Sequence, residues 1–83
     1  PERMATARET MKEGTEAIKN TEKELRAAEE EGSQLSKDLQ NCIEEGKPTG
    51  GLRIQIAENK YKMTQLENQL NEKRGELRSA AMV

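Results

Sequence analysis

Eighty-three residues are enough for a single domain, but with 36% of them charged and 1% aromatic they lack the large side chains of a conventional globular core. The formal net charge of −2 implies no general affinity for polyanions, and the absence of histidine removes the commonest general base. The mixture of Glu, Lys, Gln, Arg and Ala instead favours long helices.

The first predicted element is a helix over residues 2–45. Met4, Met11, Ile18, Leu25, Gly32 and Leu39 recur every seven residues, and Ala7, Gly14, Thr21, Ala28, Leu35 and Cys42 follow three residues behind. Two such interleaved series are the a and d positions of a coiled-coil seam. From Ala7 to Ala28 the second series is small, which lets a neighbouring helix axis approach closely. Gly32-Ser33 is the weak point of this helix, where a break would turn the chain into a three-helix bundle. Two observations favour continuity. The heptad phase passes through Gly32 to Leu39, and Glu29, Glu30 and Glu31 would make an unfavourable acidic C-terminus.

The next element is a loop over residues 46–51, where Gly46-Lys47-Pro48-Thr49-Gly50-Gly51 stops helix propagation. Gly46 suits the residue just past a helix, and Thr49 suits the cap of the next. The combination of Gly, Lys and Thr is not a phosphate-binding loop. The order of residues is wrong and a helix precedes it, where that motif follows a strand.

A second helix is predicted over residues 52–81. Ile56, Met63, Leu70 and Leu77 form one series, and Leu52, Asn59, Leu66, Lys73 and Ala80 the other. Asn59 is the candidate register-specifying residue, because a polar group in a seam trades stability for alignment. Tyr61 and Ile54 share an outward face, a candidate docking stripe on otherwise ordinary surface.

A short loop between long helices favours antiparallel neighbours. Residues 1–45 carry seven Lys/Arg against twelve Asp/Glu, a net of −5, and residues 46–83 carry seven against four, a net of +3. The two helices are therefore complementary. A parallel dimer of extended chains would set like charge on like charge. Pairing outward from a turn centred at Pro48–Thr49 brings Leu39 near Glu58, Leu35 near Met63, Leu25 near Leu70 and Ile18 near Leu77. It leaves Met4, Ala7 and Met11 as an overhang that suits an oligomer contact. Leu35, Leu39, Leu66 and Leu70 are expected in the main core. A two-helix hairpin buries little, so dimerisation into a four-helix assembly is expected.

The expected fold is therefore all-α: one antiparallel coiled-coil hairpin, read as a fragment of a longer protein. The seam comprises Met4, Met11, Ile18, Leu25, Leu35, Leu39, Cys42, Leu52, Ile56, Met63, Leu66, Leu70 and Leu77. The pattern resembles coiled-coil hairpins in general, a class that serves cytoskeletal, tethering and chromosome-organising proteins and carries no one function. No enzyme activity is expected, and no catalytic, cofactor or metal site, since glutamates on a thin rod line no pocket and one cysteine makes no ligand set. The expected function is self-association within a larger protein, most simply as a homodimer. An adaptor that binds helices of a different protein is the alternative. A third reading is a basic-tip contact with nucleic acid or membrane through Lys47, Arg53, Lys60 and Lys62. Cys42, as the only cysteine, is read as a small buried residue or as half of an interchain disulfide. The lone thiol, with no signal peptide or membrane-length apolar run, points to an intracellular setting, cytoplasmic or nuclear.

Overall fold

The helix-forming stretches on either side of the loop fold as the sequence predicts, into two helices that pack against each other as an antiparallel hairpin. The structure is a computed structural model that describes the backbone of residues 2–81 and the side chains of Arg8, Glu9 and residues 11–81. The first helix, α1, spans Glu2–Glu45 and the second, α2, spans Gly50–Ala81. The molecule is a rod of 67 × 14 × 14 Å. At about 1.5 Å per residue, α1 alone accounts for that length. It runs unbroken through Gly32-Ser33.

The chain reverses through a compact set of hydrogen bonds. Gly46 takes the left-handed conformation, with φ at 69°. Its amide donates to the Ile43 carbonyl at 3.2 Å, and the Lys47 amide donates to the Cys42 carbonyl at 2.9 Å. This pair of bonds satisfies carbonyls that the end of a helix leaves orphaned, and only a residue without Cβ takes the turn without strain. α2 then begins at Gly50, earlier than the expected start at 52, so the loop is 46–49 and not 46–51. Thr49 explains the difference. Its carbonyl accepts the Arg53 amide at 3.0 Å, and its Oγ1 accepts a bond from Arg53 Nε at 3.1 Å. With Thr49 as the last non-helical residue, Gly50 and Gly51 form the first turn, and neither needs a positive φ.

The early reversal at Gly46 also moves the register. Leu77 lies against Gly14, Asn59 against Ala28 and Gly32, and Lys73 against Thr21. These levels sit roughly one to two turns nearer the N-terminus of α1 than a turn centred at Pro48–Thr49 would place them. The expected facing of Leu39 with Glu58 gives way to a groove that Leu39 shares with Arg53, Ile56 and Ala57. Leu77 accordingly meets Gly14, where pairing by size had matched it with Ile18.

The core is one residue wide. Its buried apolar members are Ala28, Leu35, Leu66 and Leu70, joined by the buried polar residues Thr21 and Asn59. Among the described residues no large side chain is fully withdrawn from solvent.

Candidate interaction surface

Of the predicted seam residues, Leu35, Leu66, Leu70 and Asn59 are buried. Ile18, Leu25, Leu39, Cys42, Leu52, Ile56, Met63 and Leu77 are only half-buried. Met11 is exposed, and the side chains of Met4 and Ala7 lie outside the described residues. The seam thus has a closed line and an open line. On α1 the closed line is Thr21, Ala28 and Leu35. The open line is Ile18, Leu25 and Leu39, with Gly32 between them.

Two polar contacts fasten the closed line. Asn59 Nδ2 donates to the Ala28 carbonyl at 2.9 Å in a buried setting. Its Oδ1 lies so near Gly32 that a Cβ there would stand 2.6 Å away, so the Asn59 amide would have to shift. Gly32 is therefore a notch cut for Asn59, and that close approach explains a glycine in mid-helix. Two heptads along α2, Lys73 Nζ donates to Thr21 Oγ1 at 2.7 Å, while the same hydroxyl donates to the Ala17 carbonyl at 2.9 Å. Arg74 adds a bond to Glu22 at 3.4 Å. No buried side-chain polar atom among the described residues is left unpaired. The notch and the Thr21–Lys73 contact were not predicted. Gly32, Thr21 and Lys73 stood in the seam series, but their partners depend on the register, which the loop sets.

The two flanks of the hairpin differ. Beside the closed line, α1 carries Glu24, Glu31, Asp38 and Glu45 at heptad spacing, a polar and acidic border. The other flank opens into a groove of about 400 Å³. α1 lines it with Glu29, Gly32, Ser33 and Ser36, and α2 with Ile56, Asn59, Lys60 and Met63. Towards the loop a second hollow continues it past Leu39, Arg53 and Ala57. Ile43, one turn beyond Leu39, is exposed at the same end. Half-buried Leu25, Leu39, Ile56 and Met63 thus form an apolar strip with Glu29 on one rim and Lys60 on the other.

Elsewhere the surface is ordinary. Ile54 and Tyr61 are exposed on α2, and Gln65 donates to the Tyr61 hydroxyl at 2.8 Å. At the tip, Lys47 pairs with Glu45 at 2.7 Å. Glu22 and Arg26, spaced one turn apart, approach to 3.8 Å. Among the described residues no helix is long and apolar enough to cross a membrane, and no cluster of His, Cys, Asp or Glu is placed to hold a metal ion.

With this geometry in view, comparison with known proteins adds no relative: no protein-family description matches the chain, and neither a curated protein nor a solved structure matches it significantly.

Proposed function

We propose that the hairpin is a coiled-coil self-association module, a structural element of a larger protein that joins two copies of it. The observation that carries this reading is the open line of the seam. Ile18, Leu25, Leu39, Ile56 and Met63 follow the heptad series yet stay half-exposed, because a single partner helix covers one side of each. Burying apolar area is the main favourable term in folding a small module, and two helices of this size bury too little of it alone. A second hairpin laid on the open flank turns a two-helix rod into a four-helix bundle in which those residues become core. The surface groups there are solvated Glu, Lys and Arg with no enclosed pocket, so the flank suits packing and not chemistry.

A glutamate placed in the strip tests this directly. Met63→Glu puts a carboxylate where the bundle core would form, at a position that is half-buried in the isolated hairpin, and circular dichroism reads whether the variant keeps its helix. Light scattering is expected to show a dimer for the parent chain and a smaller mass for the variant. A parent chain that is monomeric and poorly ordered, and that orders only with a helix from another protein, would move the assignment to an adaptor.

A further inference from the structure

We infer that the open flank receives the same flank of a second copy about a two-fold axis running along the length of the hairpin, so that both loops lie at one end of the bundle. The inference rests on the self-association reading and adds the geometry of the partner. Two hairpins stacked flank to flank with aligned helices are related by a two-fold axis in the plane between them, running either lengthwise or crosswise. The lengthwise axis lays α1 over the partner's α2, so every pair of adjacent helices is antiparallel. The crosswise axis lays α1 over the partner's α1, and α2 over the partner's α2.

The apolar strip is covered in both arrangements, so a smaller term decides between them, and that term is charge. The total charge of each helix does not decide it, because Glu24, Glu31, Asp38 and Glu45 border the closed line, away from this contact. The charges on the rims of the groove decide it. Glu29 and Lys60 stand on opposite rims of the groove at nearly the same level, since both line it beside Gly32 and Asn59. A lengthwise two-fold carries Lys60 of one copy over Glu29 of the other, and does so twice. Exposed pairs contribute little individually, but choosing between two packings of equal apolar burial requires only a difference. Steric fit agrees. Gly32, Ser33 and Ser36 leave α1 with no large apolar side chain at this level, so the partner's α2 has room to bring Ile56 and Met63 down onto them.

The chain's single thiol, Cys42, lies close to the loop and is half-exposed, which makes it a reporter of where the two loops sit. With a nitroxide spin label on Cys42, pulsed electron paramagnetic resonance measures the distance between copies. Neighbouring helix axes about 8–10 Å apart place the two labels within roughly 25 Å for a lengthwise axis. A crosswise axis through the middle of the paired region separates them by about 40 Å or more, at about 1.5 Å per residue. A short distance in a species of dimeric mass is the expected result. A long distance at dimeric mass overturns the lengthwise axis and leaves self-association standing. A monomeric mass overturns both. Labelling a Lys47→Cys, Cys42→Ser variant repeats the measurement with the label moved off the seam, and is expected to give the same answer. Charge reversal supplies an independent reading. Glu29→Lys and Lys60→Glu are each expected to weaken the dimer several-fold, and the double variant to restore it. A Glu29→Lys variant that dimerises more tightly would contradict the proposed axis, because relief of acid on acid belongs to the crosswise packing.

Discussion

Asn59 and Gly32 meet at one level of the hairpin, and their coupling is measurable. Replacing a mid-helix glycine by alanine ordinarily stabilises by up to about 1 kcal/mol. At Gly32 the new Cβ would meet Asn59 Oδ1 and displace an amide that donates to the Ala28 carbonyl. Losing that bond costs about 1 kcal/mol, so the two effects nearly cancel. Gly32→Ala is therefore predicted to be close to neutral in the parent chain and stabilising by about 1 kcal/mol in an Asn59→Ala background. Equal effects in both backgrounds, by thermal or urea unfolding, would show that the notch does not exist. Gly75 gives the control, because nothing stands within 4 Å of a Cβ there and Gly75→Ala should simply stabilise. Gly46 behaves oppositely. Its positive φ makes Gly46→Ala cost about 1 kcal/mol although the space around it is empty. The polar role of Asn59 was legible in the sequence because an amide in an apolar series is conspicuous. Its counterpart was not, since a glycine in a helix reads as a weakness until the residue that fills the space beside it is known.

At the level of elements, heptad spacing was enough to place both helices and the break between them. It specifies which residues face a partner, but not at what height two helices meet. That height depends on how many residues the turn consumes. Gly46 reverses the chain immediately and Thr49 starts α2 early, which shifts the levels by roughly one to two turns from the pairing expected by size. The same shift shortens the N-terminal overhang, since α2 now reaches Gly14 with Leu77. Met11 stays exposed, and the side chains of Met4 and Ala7 lie outside the described residues. The proposed role of this segment in oligomerisation is tested by deleting residues 1–13 and weighing the product by light scattering: a smaller mass is the expected result, and an unchanged mass would rule the role out. Within the seam, Leu66 and Leu70 are both buried. Truncation of either to alanine should cost about 2–5 kcal/mol, against much less for the exposed Ile54. A melting temperature unchanged by Leu66→Ala would overturn the burial described for α2.

For the whole molecule, a rod 67 Å long and 14 Å across leaves one line of its seam half-exposed. The closed line holds the hairpin together, and in the proposed assembly the open line packs on a second copy. The open line was legible in part. Its residues stood in the heptad series, but their half-exposure follows from how α2 sits over Thr21, Ala28 and Leu35, a matter of side-chain packing that spacing leaves open. Stability coupled to association has a plain signature, because binding that favours the folded form makes stability depend on concentration. Sedimentation equilibrium and thermal unfolding, run together across a hundredfold range of chain concentration, test this most directly. The account predicts a species of twice 9.4 kDa that dissociates on dilution, with a melting temperature that falls as it does so. A fully helical species of 9.4 kDa at every concentration, with a constant melting temperature, would contradict it.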